Sequence, residues 1–532
     1  MENVAEKVLA EGSPAAGRGP VERPADPAGA ASRRIILAMA ARCGSQAAGF
    51  AVRVLTLPVA LAALGSEGYG HWVIALSAAN YLALARLGFP AAQSRRLARA
   101  IGRGADSGWL LSSYFALDIA LGAVALSLTG AIYLVLGPVL GLYEAARTFF
   151  FLGIFASVSL PFAAHAAFLQ ASFREAGCEL AAILGALAQG IAAVLLLRIG
   201  FGLGGLVIAF GASTFVQCTV FSALIRRTAP LDALSLRRAR RDAVLEVLPE
   251  STSMGLNTLS VLLFSATDAI ILGAVHGSGE AARYDLSGKI LQVALPFAFV
   301  LSDAFFPLIA RRADSPAALR GLYRGTLNLS LAFAGWAAAL YLFLGTPLLW
   351  AWTGRRGLEV PLSTALLFAG VFLLQAVTHV GALILQATGD VKAMARRSAV
   401  SAAANLCLSL LLVRRFGIDG VLAASLIATC LGNAIAIPVH LARKLAIAAG
   451  EHARPFLRLS LPFALAAGAS WAFDFTDWSR GWVIGFALSL TAAYAAASWL
   501  ILGRAARRAS IDWLCSMTGN RPAARTGGSA QA

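Results

Sequence analysis

Residues 33–70 read RRIILAMAARCGSQAAGFAVRVLTLPVALAALGSEGYG. Two arginines lead into a long apolar stretch that ends at the Gly65–Gly70 turn, and only Arg42 and Arg53 interrupt it. Crossing a bilayer core takes roughly 20 apolar residues in a helix. The stretch therefore reads as a membrane span, marked by cations at one end and a glycine-rich turn at the other. Runs of the same kind recur along the chain, which is 58% hydrophobic and 13% charged with a mean hydropathy of +0.73. Fourteen spans are predicted, near 36–63, 71–93, 109–136, 148–169, 177–197, 203–225, 249–274, 284–310, 325–350, 360–388, 396–413, 418–442, 456–474 and 480–503.

The formal charge of +17 comes from 44 Lys and Arg against 27 Asp and Glu. Of those 44 cations, 32 fall in one alternating set of gaps between spans and 8 in the other. The remaining four, Arg42, Arg53, Arg86 and Lys289, lie inside spans. Such asymmetry follows the positive-inside rule, so the charge reports membrane orientation and no nucleic-acid partner is expected. The basic gaps, with both termini, are expected in the cytoplasm of a bacterium, the chain being a multi-pass protein of the inner membrane. Residues 1–34 and 504–532 read as polar cytoplasmic tails, with no cleavable signal peptide at the first. Six scattered cysteines make no CxxC pair, so neither a disulfide framework nor a metal site is expected.

The two halves of the chain resemble each other. Phe201-Gly202-Leu203-Gly204-Gly205 is echoed by Phe416-Gly417-Ile418-Asp419-Gly420, an offset of 215 residues, and each follows a Leu-Leu-Leu run. The predicted fold class is an all-α polytopic membrane protein with two parallel six-helix lobes and two C-terminal helices. The lobes span 35–226 and 249–445, joined by a basic cytoplasmic linker at 227–248, and residues 446–503 hold helices 13 and 14.

Three local patterns carry a family resemblance. Leu64-Gly65-Ser66-Glu67-Gly68-Tyr69-Gly70 resembles the LG-x-x-x-(F/Y)-G turn of Wzx-type O-antigen flippases. Thr267-Asp268-Ala269-Ile270-Ile271-Leu272-Gly273, with Tyr284 and Lys289 beyond it, resembles their D-x-x-I-L-G … Y-x-x-x-x-K pattern, and Gly417 to Gly420 resembles their G-x-x-G helix entry. The chain thus resembles the multidrug/oligosaccharidyl-lipid/polysaccharide (MOP) flippase superfamily. The resemblance implies a V-shaped pair of bundles, as in MATE transporters and the lipid II flippase MurJ, alternating between inward-open and outward-open states. For the polysaccharide branch it implies transfer of undecaprenyl-pyrophosphate-linked oligosaccharide, an exopolysaccharide or O-antigen unit, to the outer leaflet. A monomer is expected, working beside polysaccharide assembly enzymes.

The charges within spans are the candidate site. Arg42 and Arg53 are eleven residues apart and return to nearly the same helix face, with Gln46 and Gly49 beside them, about 16 Å apart along the axis. Arginine offers planar bidentate donors to a pyrophosphate, and Arg86 and Lys289 would extend the basic wall. Glu250, Asn257 and Asp268 share a face of span 7, and at the 215 offset Asp268 is the repeat partner of Arg53. An Arg53–Asp268 pair that approaches across the lobes is therefore predicted as a gate. Asp118, His165, Asp303 and His379 are single ionisable groups within spans and candidates for a proton relay. No cofactor is expected beyond coupling to protons, sodium or the membrane potential.

Competing functions fit less well. Gly200 to Gly205 matches G-x-G-x-x-G but opens a membrane helix with no preceding strand, so it is no dinucleotide site. No P-loop, HExxH or GxSxG occurs. A cation-coupled drug exporter would carry a more acidic cavity, and a membrane polymerase or glycosyltransferase would need longer outer loops. A transporter, not an enzyme, is expected, with a lipid II flippase as the alternative cargo within the superfamily.

Overall fold

The computed structural model describes residues 27–303 (except 87, 173 and 228–234), 305, 306, 309, 312, 315–445 and 478–501. The described residues are helical throughout, joined by short turns, and include no strand. This is what a bilayer demands: with no water available, each backbone N–H and C=O is satisfied within its own segment. The helices are α1 (Pro27–Asn80), α2 (Phe89–Gly102), α3 (Gly108–Leu134), α4 (Tyr143–Ser159), α5 (Ala163–Ala171), α6 (Glu175–Arg198) and α7 (Gly202–Arg226). There follow α8 (Arg241–Ser265), α9 (Thr267–His276), α10 (Ser278–Asp303), α11 (Pro316–Thr353), α12 (Leu362–Ala387), α13 (Val391–Thr429), α14 (Ala436–Leu445) and α15 (Arg480–Ile501).

Ten segments among the described residues are long and apolar enough to cross a membrane. The chain is a multi-pass membrane protein. Two of the ten segments break at a glycine. Gly65 (φ 71°) divides α1, and Gly417 (φ 52°) divides α13, so each supplies two predicted spans. The expected span 13 lies outside the described residues, and α15 occupies the place expected for span 14.

The repeat is visible in the backbone. Gly202, 215 positions before Gly417, also has a positive φ, 57° against 52°. Both glycines turn the chain into a helix in a conformation that a side chain rarely tolerates. Gly420, within the same motif, passes so close to Leu412 that a Cβ would lie 2.6 Å from its carbonyl oxygen.

The two lobes pack around separate cores. One gathers Leu97, Leu111, Tyr114 and Phe168, and the other Tyr341, Phe368, Phe372 and Leu422. Helix α8 begins at Arg241, inside the segment read as a linker, and its Ala243 and Val247 join the first lobe's core. Ion pairs fasten α8 and the turn before it there: Arg96 to Glu246 of the helix, and Arg238 of the turn to Asp106 at 3.0 Å. These cations lie at the end of the bundle that carries most of the charge, here the basic end; the Gly65, Gly277 and Gly354 turns mark the distal end.

At the basic end Asp390, between α12 and α13, accepts from Lys444 (2.6 Å) and His440 (3.2 Å) on α14. The Lys444 ammonium and then His440 hold its carboxyl below the usual carboxylate range. A depressed folded pKa stabilises the fold above the unfolded value and loses that contribution as pH falls through the folded one. Asp390→Asn is therefore expected to lower thermal stability at neutral pH by at most about 1 kcal/mol. The difference from wild type should vanish in acid, which melting curves from pH 7 down to 3 would check.

Candidate functional site: a basic cavity between two lobes

Helix α1 divides its circumference among four environments. Val52 meets α6, where a Cβ on Gly190 would stand 3.0 Å from it. Phe50 packs edge-on against Phe297 of α10 (6.0 Å, 85°), and the Val54 carbonyl accepts from Trp352 Nε1 at 2.8 Å. Leu55, 67% exposed, points out to lipid. At 100° per residue, Arg53 falls between the α6 side and the second-lobe side, facing the interior of the V. Its stripe runs Arg42, Gln46, Gly49, Arg53, Leu57, Ala60. Arg42, Gln46 and Arg53 are exposed, whereas Leu57 (6%) and Ala60 (4%) are buried. One face of one helix thus passes from exposed toward the basic end to buried toward the distal end. Arg42 and Arg53 of the predicted basic stripe both lie on its exposed part.

Arg53 donates from Nε to the Gly49 carbonyl of its own helix (3.3 Å), and no carboxylate pairs with it among the described residues. Lys289 faces the same interior from α10, on a stripe shared with Gln292, which is exposed. It is neutralised locally by Asp285, one turn away at 2.6 Å.

The distal seal joins the lobes directly. Tyr69 of α1 donates to Asp285 of α10 (2.7 Å). Gly70 lies against Ser278, where an added Cβ would sit 1.8 Å from the carbonyl oxygen. A Cβ on Gly273 would sit 2.4 Å from Ile74. Tyr69–Asp285–Lys289 is thus an inter-lobe polar contact beside the Trp352–Val54 bond, and the predicted Arg53–Asp268 pair is not formed. Asp268 is 2% exposed and turned into its own lobe. Its carboxylate accepts from Tyr284 (3.1 Å), Ser425 (3.3 Å) and Ser409 (3.5 Å). The Ser425 hydroxyl also lies 3.0 Å from Asn405 Oδ1, and Asn405 Nδ2 has no hydrogen-bond partner. A buried carboxylate ringed by hydroxyls, with no cation paired to it among the described residues, is electrically incomplete.

A model of the family described as polysaccharide biosynthesis protein matches residues 40–312, just over half of the chain. The chain belongs to this family, within the MOP flippase superfamily. No curated protein matches its sequence. Among solved structures, this MOP protein is similar to the lipid II flippase MurJ in an inward closed conformation, at TM-score 0.61 and 14% identity. That match covers 88% of this chain and 100% of the other. It is similar to an inward-facing multidrug resistance MATE family transporter of the MOP superfamily at TM-score 0.60 and 14% identity, over 78% of this chain and 95% of that one. The MATE multidrug transporter DinF-BH aligns at TM-score 0.52 and 18% identity, over 80% and 98%. At these identities the likeness concerns the fold.

The remaining predicted residues of the MOP protein fall in other places. Arg86 does not join the cavity wall. Span 2 ends in a 3-10 turn, Tyr81–Arg86, whose roughly 120° per residue instead of 100° swings Arg86 into the first lobe. There its Nε is buried without a partner, and Asp118 is within electrostatic reach. Asp118 is 3% exposed and accepts from Gln93 Nε2 at 3.0 Å. His165 is enclosed by Phe115 (5.7 Å) and Phe162 (5.3 Å), a packing position. Asp303 and His379, read singly from the sequence, are paired: Nε2 lies 2.8 Å from Oδ1, with the imidazole stacked on Phe299 at 4.1 Å. The side chains of Glu250 and Asn257 lie outside the described residues.

Sequence reasoning missed Tyr69 and Asp285 as an inter-lobe contact, and the hydroxyl shell of Asp268. Each left a signal. Tyr69 and Tyr284 stand in the family patterns, and the pairs Asn405/Ser409 and Ser425/Thr429 are polar residues at i,i+4 in otherwise apolar spans.

Proposed function

We propose that this protein is a flippase that carries undecaprenyl-pyrophosphate-linked oligosaccharide across a bacterial inner membrane, from cytoplasmic to outer leaflet, by alternating access. The observation that carries the reading is the unpaired Arg53, held with Arg42 on a stripe that is open toward the basic end and closed beyond Leu57. A cation without a counter-ion in a membrane cavity costs several kcal/mol, and an anionic headgroup arriving from that side offsets the cost. A diphosphate presents charge and geometry suited to guanidinium forks. The polysaccharide biosynthesis family supports this cargo class, and the basic wall disfavours organic cations. The cationic ends of the spans support a cytoplasmic basic end with both termini there.

The coupling group in this reading is Asp268. An ionised carboxylate buried among Tyr284, Ser409 and Ser425 takes up either a proton or a small cation to remain there. Reconstitution into vesicles tests both parts. Purified protein should move undecaprenyl-pyrophosphate-linked glycan between leaflets, driven by an imposed proton or sodium gradient. Asp268→Asn, neutral in all states, should transport at a rate independent of that gradient. Equal transport with and without a gradient by the wild type would remove coupling at Asp268. Absence of any glycan-lipid movement would remove the flippase reading.

A further inference from the structure

Two of the eight distal-end cations, Arg356 and Arg480, meet over one indole, and a third, Arg355, lines the cavity beside it. The Arg356 guanidinium carbon stands 5.1 Å from the Trp350 ring centroid and that of Arg480 stands 5.9 Å from it. Beside them a cavity of about 410 Å³ opens between the distal ends of α11 and α12, and Arg53 is not among its lining residues. Its rim carries Arg355, Arg356 and Glu359, and its wall descends along apolar Leu342, Phe343 and Pro347. Helix α12 opens into it at Leu362 with no side-chain cap on its first N–H groups. No ion pair engages Arg355 or Arg356 among the described residues.

Cations are scarce at the distal end, because each opposes the orientation set by the rest of the chain. Among the described residues that line the cavity, two of these cations, Arg355 and Arg356, face a single anion, Glu359. Guanidiniums held by an indole face, together with free helix N–H groups, make a phosphate-binding rim. The apolar wall beneath accommodates hydrocarbon. A free anion would leave that wall idle, whereas a lipid uses both parts.

We propose that this cavity binds the phosphate headgroup of a lipid in the leaflet at the distal end, with Arg355 and Arg356 as its ligands and the chain lying along α11. The lipid is either a bulk phospholipid or the polyprenyl diphosphate after crossing. The site needs only that the chain spans a membrane, so it stands or falls apart from the cargo reading above.

The test is native mass spectrometry of the full-length protein in detergent, titrated with phosphatidylglycerol, undecaprenyl pyrophosphate, diacylglycerol or inorganic pyrophosphate. Wild type should retain a phosphate lipid and not diacylglycerol, and the tighter of the two phosphate lipids identifies the source. The double variant Arg355→Gln, Arg356→Gln should weaken that binding roughly tenfold or more, as expected for lost charge-assisted hydrogen bonds. Arg414→Gln, Arg415→Gln, at the same end but away from the cavity, should bind as wild type. Glu359→Gln should bind severalfold more tightly, a gain that misfolding does not mimic. Equal affinity in wild type and the Arg355/Arg356 double variant would overturn the site, as would an unchanged affinity in Glu359→Gln. Displacement of the lipid by inorganic pyrophosphate at equal concentration would overturn the lipid assignment.

Discussion

Gly70→Ala is expected to hold the distal end open. The added Cβ would stand 1.8 Å from the Ser278 carbonyl oxygen, a backbone atom that has no rotamer by which to retreat. Either α1 or α10 must move, and the two belong to different lobes. Overpacking of this kind costs roughly 1–3 kcal/mol. About 2 kcal/mol shifts the balance between joined and parted distal ends about 30-fold, provided the parted state carries none of the clash. Spin labels at the exposed Glu67 and Arg283, in a cysteine-free background, report the separation directly. Wild type should show a short distance. Gly70→Ala should show a longer one, with transport lost because the distal end no longer closes. An unchanged distance distribution in a well-folded variant would mean that the contact is not the seal.

The same contact explains why the family patterns have the residues they do. Gly65 turns the chain, Tyr69 reaches Asp285, and Gly70 admits Ser278. In the second pattern Asp268 is bound by Tyr284, Gly273 admits Ile74, and Lys289 neutralises Asp285. Both patterns converge on the distal meeting of α1 with α9 and α10. A motif that looks like scattered small and polar residues is one interface read from its two sides.

What was legible in the sequence follows from periodicity and charge. The spans, the lobes and the Arg42–Arg53 stripe depend on 3.6-residue geometry and on where cations are tolerated, and both are local properties. The offset of 215 residues survives as matching positive-φ glycines because backbone conformation constrains residue choice at single positions. Arg86 was misplaced because a short 3-10 turn alters the rotation per residue, and nothing in Tyr81–Arg86 announces it. The Arg53–Asp268 pair failed for another reason. Pseudosymmetry places both residues at equivalent points of their lobes, but α9 follows a break after Ala266 that turns Asp268 toward α13. His379 and Asp303 are 76 residues apart, and only the packing of α10 on α12 brings them together.

Arg53→Ala is expected to reduce transport of a diphosphate-linked lipid about 10- to 100-fold, with protein level and fold unchanged. The structural cost of removal is small, since Arg53 is exposed and holds only the Gly49 carbonyl of its own helix. Truncating it takes away no packing and leaves no carboxylate unpaired. The functional cost is large, because a charge-assisted hydrogen bond to an anion contributes about 1.5–3 kcal/mol. Arg53→Lys separates charge from geometry: the ammonium keeps the field but loses the planar fork, so an intermediate rate is expected. Arg42→Ala should fall less far than Arg53→Ala. Arg42 lies nearer the open basic end, where water screens it and where cargo in transit spends less of its path. Vesicle transport rates for the three variants, set beside their melting temperatures, distinguish the possibilities. A fully active, well-expressed Arg53→Ala would show that the basic stripe only solvates the cavity. An Arg53→Ala that loses stability in proportion to activity would assign Arg53 to the fold. Loss of transport at unchanged stability, graded from Ala through Lys to Arg, is the signature of a cation that meets an anion.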